Sequence, residues 1–274
     1  MRFYGDYHTH SKYSDGRQDL PDIVAAACQQ GLREVAITDH GPMCAVIGIK
    51  DAEIYLHMKK QAAALQKDYP DVRILVGAEA NIRDLDGSLD IPDEIIAELD
   101  LLIAGIHPYT RPTSIQDGIA LWVQNSLRHL GPGQSRKAVA ANTQACIAAI
   151  KNNPRLDILS HPGLFFDVDT AAVAEACAQY EVLFEINCGH SHPAISDIIE
   201  AEQTGVCFIV NSDAHFQETV GELTYGSRLV KSIGLEPERI VNRASGGGIA
   251  LWGKRERVCT YSSSPAYQEP ARPR

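Results

Sequence analysis

The sequence predicts an α/β fold built on parallel strands. Short apolar runs alternate with segments whose apolar residues recur every three or four positions, which is the pattern of amphipathic helices. Repeated strand–helix units of this kind join parallel strands through crossover helices. They suit either an incomplete β/α barrel or a doubly wound sheet, and composition alone does not choose between the two.

The predicted elements are short and regularly spaced. Strands are predicted at residues 3–8, 34–38, 72–78, 101–106, 156–160, 182–187 and 206–211. Helices are predicted at residues 20–30, 53–69, 92–99, 137–151, 171–180, 195–203 and 225–233. The first helix also has end signals, since Asp19 and Pro21 are typical of a helix start and Gly31 of a helix end.

Two regions interrupt this rhythm. Residues 109–136 contain several glycines and prolines, and they predict a long loop after the fourth strand that serves as a lid, a binding loop or a dimer contact. Residues 244–274 are Gly- and Ser-rich with little apolar pattern, so we expect a poorly ordered tail there. We therefore expect one domain over residues 1–243.

Composition excludes several classes of protein. The chain has 274 residues, 45% of them hydrophobic, and a formal net charge of −10, which argues against extensive nucleic-acid binding but not against a small anionic substrate. The N-terminus lacks an apolar signal core, and the longest apolar run, at 101–106, is far below the roughly 20 residues of a membrane span. The seven Cys form no C-x-x-C pair. We expect a reduced cytoplasmic protein without a membrane partner.

Polar residues with metal-binding groups follow nearly every predicted strand. In chain order they are His8, His10, Asp15, His40, Glu79, His107, His161, His190, His192, Asp213 and His215. Each signal alone is weak, because a lone His is often a core residue and Asp213 could be a helix cap. Together they are informative, because the carboxyl ends of parallel strands share one face. A buried cluster of imidazoles and carboxylates is costly unless a divalent metal ion binds it. The sequence therefore predicts a metal site.

Six motifs occur at the ends of the predicted strands. They are H-T-H-S-x-x-S-D-G from residue 8, I-T-D-H-G-P from 37, G-x-E-A-N-I from 77, A-G-I-H from 104, S-H-P-G from 160 and S-D-A-H from 212. This set, in this order, resembles the PHP family, named for polymerase and histidinol phosphatase domains. The resemblance spans residues 1 to about 242, and it is nearest to stand-alone bacterial PHP-type phosphatases. It identifies residues 1–243 as a PHP metal-dependent phosphoesterase domain.

The resemblance implies a distorted seven-stranded, TIM-like β/α barrel with three divalent metal ions, Zn, Mn or Fe, at the carboxyl ends of the strands. It assigns His8, His10, Glu79 and Asp213 to the first ion, Glu79, His107 and His161 to the second, and Asp15, His40 and His215 to the third. Some family members have His where this chain has Asp15, which could shift the metal preference.

The expected activity is hydrolysis of a small phosphomonoester. Divalent ions about 3.5–4 Å apart lower the pKa of bound water to roughly 7, so a bridging hydroxide held by Glu79 and the other metal ligands is expected to attack phosphorus. Candidate substrate contacts are Lys12, Arg17, Arg111, His190 and His192, although each could equally be a solvated surface residue. Two alternatives remain at this point: a phosphodiesterase acting on a nucleotide or oligonucleotide with the same site, and a non-catalytic metal-binding module.

Overall fold

Seven parallel strands follow one another in chain order around a nearly closed barrel. The structure is a computed structural model that describes residues 1–252, excluding the side chains of residues 250 and 251. The strands are β1 Gly5–Asp6, β2 Glu34–Ile37, β3 Arg73–Asn81, β4 Leu101–Gly105, β5 Ile158–Leu159, β6 Leu183–Asn187 and β7 Phe208–Asn211. Each strand pairs in parallel with the next. A doubly wound sheet reverses its strand order at a switch point, so this in-order pairing resolves the fold as a barrel.

The helices between successive strands cover the outside of the barrel, and two more helices follow the last strand. They are α1 Leu20–Gln29, α2 Ile54–Leu65, α3 Asp93–Glu98, α4 Ile115–Asp117, α5 Gln124–Leu127, α6 Pro132–Asn152, α7 Thr170–Gln179, α8 Ile195–Glu202, α9 Thr224–Ile233 and α10 Ile249–Trp252. Within residues 1–252, no helix combines the length and the apolar character that a membrane span requires.

The prediction of a long irregular loop at 109–136 is wrong for most of that segment. The backbone is helical from α4 through a π-helical turn at Gly118–Val123 to α5. Ser114 caps the first turn by accepting a hydrogen bond from the Asp117 backbone N–H at 3.1 Å. Gly118 keeps helical dihedral angles and Pro132 is the first residue of α6. In the sequence, these two residues suggested that helical structure is interrupted. In the structure, Gly118 continues a helical segment and Pro132 begins a helix.

The side chain of Asn242 joins the last strand to the first. Apart from one parallel bridge between Thr9 and Ala214, the ladders described above do not link β7 to β1 directly. Buried Asn242 lies in the gap, and its amide donates to Gly5 O at 2.9 Å and Val210 O at 2.6 Å. Its side-chain oxygen accepts from Val210 N at 3.1 Å. A side-chain amide thus supplies the hydrogen bonds that a strand edge would otherwise lack.

The inside of the barrel is apolar at one end and polar at the other. Residues two apart on a strand face the same side, so Leu75 and Glu79 of β3 both point inward. Leu75 belongs to an inner apolar cluster with Ile103 and Ile209. Glu79, at the carboxyl end of β3, lies among histidines instead. The sheet therefore presents its polar groups at the carboxyl ends of the strands, where the site lies.

Residues 244–249 close the apolar end of the barrel. Ile249 is buried in the inner apolar cluster, and its backbone N–H donates to the Tyr7 hydroxyl at 3.1 Å. Gly248 has φ +75°, and a Cβ there would overlap Tyr7 and Glu34, so the close approach requires glycine. The domain boundary at 243 stays a prediction, and residues 253–274 of the predicted tail lie outside the described residues.

Candidate metal centre

Glu79 is the centre of a buried group of histidines. Its Oε2 lies 3.2 Å from His8 Nε2, 2.9 Å from His40 Nδ1 and 3.6 Å from His10 Nε2. Its Oε1 lies 3.0 Å from both His107 Nε2 and His161 Nε2. These five rings come from the ends of four strands, so the barrel geometry brings them together around one carboxylate.

Two further carboxylates complete the group on either side. Asp213 Oδ1 lies 3.1 Å from His10 Nε2 and 3.6 Å from His8 Nε2. Half-buried Asp15 has its Oδ1 3.3 Å from His215 Nε2 and 3.8 Å from His40 Nε2. All nine predicted metal ligands are therefore brought into one continuous cluster.

Within the described residues, the cluster contains three overlapping sets of potential metal ligands. They are His8, His10 and Glu79; His40, Glu79 and His107; and His10, Asp15, His40 and His215. The first set agrees with the assignment to the first ion, and the third contains the assignment to the third ion. His40 differs, because it approaches Glu79 as well as Asp15.

Several buried atoms of the cluster have no hydrogen-bond partner. They are His8 Nε2, both ring nitrogens of His10, His40 Nδ1 and Glu79 Oε2. Buried polar atoms are normally paired, because an unpaired one costs about 1–3 kcal/mol. These atoms lie close to one another without hydrogen-bond geometry, as ligands do when they point at a common third atom. The donor set therefore fits divalent cations.

The outer nitrogens of three rings strengthen this reading. His8 Nδ1 lies 2.7 Å from Glu185 Oε1, His107 Nδ1 lies 2.8 Å from Asn81 Oδ1, and His215 Nδ1 lies 2.9 Å from the Asp213 carbonyl. Each of these acceptors holds a proton on Nδ1, so Nε2 is the nitrogen that faces a carboxylate oxygen. That short contact is favourable only where a cation, either a proton on Nε2 or a metal ion bound to both atoms, joins the nitrogen and the oxygen. The three rings belong to the three different predicted metal groups.

Sequence analysis did not identify Glu185 and Asn81 as parts of the site. Both are fully buried, Asn81 as the last residue of β3 and Glu185 at the centre of β6, and Glu185 accepts hydrogen bonds from four N–H groups. Their signal was present in the sequence, because each is a polar residue at an inward position of a mainly apolar strand, as Glu79 is.

The carboxylates of the cluster are ionised. Burial raises the pKa of Glu79, but the adjacent His8, His107 and His40 outweigh it and hold that pKa well below the usual range. Burial also raises the pKa of Asp15, but the contacts with His215, His10 and His40 outweigh it, so that pKa falls to about 2. These groups are therefore in the protonation state that metal ligands require.

The histidines divide into two classes. Burial lowers the pKa of His10 to about 3, helped by His40 and His215, and lowers that of His107 to about 4 against the pull of Glu79. His215 behaves in the opposite way: burial acts downward, but its contacts with Asp15 and Asp213 raise its pKa to about 9. Among the protein groups alone, a ring such as His215 holds a proton that a metal ion would have to displace.

A cavity of about 620 Å³ opens above the cluster. Its lining includes six of the nine predicted ligands, namely Asp15, His40, His107, His161, Asp213 and His215, together with His190. The cavity therefore gives a small molecule direct access to the cluster.

The other predicted substrate contacts lie elsewhere. Lys12, Arg17 and Arg111 are exposed and do not line the cavity. Lys12 Nζ pairs instead with Asp19 Oδ2 at 2.8 Å, next to the start of α1. His192 Nε2 lies 2.9 Å from the Pro162 carbonyl, a contact that fixes the loop beside His161. These residues were predicted as substrate contacts because they lie near ligands in sequence, and none of them lines the cavity.

Comparison with known proteins agrees with this fold and with the family that the motifs resemble. The family model described as PHP domain matches residues 6–187. A protein of Aeromonas hydrophila named "Probable phosphatase" is 32% identical over 89% of this chain and 91% of its own length. "Probable phosphatase YcdX" of Escherichia coli is also 32% identical, over 86% of this chain and 89% of its own length.

A solved structure with the same fold is histidinol phosphate phosphatase of Lactococcus lactis, complexed with zinc, L-histidinol and phosphate. The TM-score is 0.57 at 17% identity, and the match covers 86% of this chain and 95% of that one. At this identity the match supports the fold alone.

Proposed function

The chain belongs to the PHP family, and from this premise we propose that it is a metal-dependent phosphatase that hydrolyses a small phosphomonoester. The observation that carries the proposal is the convergence of unpaired ring nitrogens and carboxylate oxygens on Glu79 beneath an open cavity. The relatives named as phosphatases support the same class of reaction.

Three divalent ions, Zn, Mn or Fe, fit the cluster. His8, His10, Glu79 and Asp213 would hold the first, Glu79, His107 and His161 the second, and Asp15, His40 and His215 the third. When bound, such ions supply positive charge for phosphate oxygens and lower the pKa of a coordinated water towards roughly 7.

The residues of this chain have three tasks in that reaction. Glu79 presents one oxygen to each of two ligand groups and so fixes the spacing between them. Glu185 and Asn81 orient His8 and His107 through their Nδ1 atoms. His190 lies at the cavity with its Nε2 3.5 Å from Asp213 Oδ2, which makes it a candidate contact for the substrate.

The substitution Glu79→Gln tests the proposal. It keeps the shape of the side chain but removes the charge shared between two ligand groups. We expect phosphate release from an alkyl phosphate to fall by roughly 10²–10³-fold, equivalent to about 3–4 kcal/mol of lost transition-state stabilisation. Glu94→Gln, on an exposed position of α3, is the matched control and should leave the rate unchanged. Equal rates for Glu79→Gln and the unsubstituted chain would contradict the proposal.

Assays with different substrates distinguish the proposed phosphatase from the two alternatives, a phosphodiesterase and a non-catalytic metal-binding module. Rates on aryl monoesters and the corresponding diesters, measured side by side, should favour the monoester, because its additional negative charge gains more from several cations. Faster diester hydrolysis would instead favour a phosphodiesterase. Metal-loaded protein that turns over neither class would be a binding module.

A further inference from the structure

The walls of the cavity differ in character from its floor. The floor consists of ligand groups, whereas the wall and rim carry Val46, Ile47, Tyr109, Phe165 and Phe216. Three of these are large apolar side chains held out towards solvent: Val46 is 74% exposed, Tyr109 70% and Phe216 52%. An exposed apolar rim around a polar floor is typical of a site that covers an apolar part of its ligand.

Phe165 brings this apolar surface next to the reacting end of the site. Its ring centroid lies 5.4 Å from that of His161 and 5.9 Å from that of His107, and its ring is nearly perpendicular to the His161 ring. It also approaches His190 at 6.0 Å. An alcohol leaving a phosphate held at the cluster would therefore lie close to the ring of Phe165, which lines the cavity.

The cavity lining contains no Lys or Arg among residues 1–252. Proteins that bind a second phosphate or a carboxylate use such cations, above all bidentate arginine. Outside the predicted metal ligands, the described part of the lining carries polar side-chain atoms only on Tyr109, His190, Ser212 and Thr219, and its other residues are apolar or glycine. A second anion would therefore find no Lys or Arg partner among these residues. Lys12, a basic residue close in sequence to the ligands, is already paired with Asp19.

We propose that the site selects phosphomonoesters with a single anionic group, whose leaving alcohol is aromatic or otherwise apolar. This inference rests on the proposed phosphatase function and names its substrate class. The cluster binds one phosphate, and the apolar wall favours an uncharged ring. A second anion binds poorly, because it would lose its hydration at the wall and gain no cationic partner there.

Three primary alkyl phosphates with similar leaving groups test this selection. Ethyl phosphate is the reference, 2-phenylethyl phosphate adds a ring, and 2-carboxyethyl phosphate adds an anion. With the full-length, metal-loaded chain we expect kcat/KM to be about 10-fold higher for the phenylethyl ester and about 10-fold lower for the carboxyethyl ester than for ethyl phosphate. Use of the full chain includes any contribution from residues 253–274.

Two rim variants connect the selection to the wall. Val46→Lys should raise the relative rate on the carboxyethyl ester, and Phe216→Ala should remove most of the phenylethyl advantage. Ile115→Lys is the control, since Ile115 is 84% exposed but lies outside the cavity lining, and it should change neither ratio.

The outcomes separate the two proposals. If none of the three esters is hydrolysed, the phosphatase function itself fails. If all are hydrolysed but the carboxyethyl ester is equal to or better than the phenylethyl ester, this inference is wrong and the phosphatase function stands. It is also wrong if Val46→Lys alters the sedimentation mass and leaves both ratios unchanged, because the rim would then be a contact between copies of the chain.

Discussion

The substitution Glu185→Gln probes how the barrel orients its ligands. Glu185 Oε1 accepts from His8 Nδ1 at 2.7 Å and Asn211 Nδ2 at 2.9 Å, and Oε2 accepts from His161 N at 2.9 Å and Asn187 Nδ2 at 3.1 Å. Each oxygen thus serves two donors inside a fully buried environment. In glutamine, whichever side carries the amide group turns two acceptor contacts into donor–donor contacts.

The expected cost follows from those two lost contacts. A buried donor without an acceptor costs about 1–3 kcal/mol, so the free energy of unfolding should fall by about 3 kcal/mol after local relaxation. In a domain of this size that corresponds to a Tm lower by about 6–12 °C. Loss of the carboxylate behind His8 should also weaken metal binding by about 10–100-fold.

Thermal unfolding and chelator competition at fixed metal concentration measure the two effects separately. Glu175→Gln is the control, because Glu175 is exposed on α7 and this substitution makes the same chemical change away from the site. If Glu185→Gln matched this control in both Tm and metal affinity, the argument that Glu185 positions His8 would be refuted.

Three further predictions address barrel closure, the apolar end and metal uptake. Asn242→Ala removes the hydrogen bonds that its side chain makes to Gly5 O and to both backbone groups of Val210, so it should lower the free energy of unfolding by about 3 kcal/mol. Asn152→Ala, at an exposed position, should lower it by less than about 1 kcal/mol. Denaturant titrations measure both values. Ile249→Ala should lower the free energy of unfolding by about 2–4 kcal/mol in the same assay, because it leaves a cavity in the inner apolar cluster. A free energy of unfolding equal to that of Ile115→Ala, at an exposed position, would contradict the inference that Ile249 closes the apolar end of the barrel. Contacts with Asp15 and Asp213 outweigh the effect of burial and raise the pKa of His215 to about 9, so zinc must displace a proton there. Apparent zinc affinity should therefore rise as pH increases from about 6 to about 9. Calorimetry in buffers of different ionisation enthalpy should detect the released proton.

The sequence predicts the strand–helix alternation, and the polar residues at the carboxyl ends of the strands, for a physical reason. Strand–helix alternation repeats throughout the chain, and Glu79, His107 and Asp213 stand where apolar strands end, a position that local pattern alone reveals. The choice between a barrel and a doubly wound sheet needed strand order, which is a long-range property that in-order pairing supplied.

Local pattern failed where distant contacts decide the conformation. Gly118 and Pro132 suggested a loop but belong to helical segments, and Gly248 allows close packing against Tyr7 and Glu34. Lys12 lies two residues from His10 in sequence, yet it pairs with Asp19 and does not line the cavity. Side-chain direction in loops depends on partners that sequence spacing does not show.

Elemental analysis of the purified full-length chain tests the central claim most directly. Mass spectrometry of metal content after equilibration with Zn or Mn should find three ions per chain, and Glu79→Gln should retain fewer under the same conditions. Chelation should abolish phosphate release, and restoring the metal should recover it. Fewer than two ions per chain, or full activity after chelation, would contradict the account of a trinuclear phosphatase site.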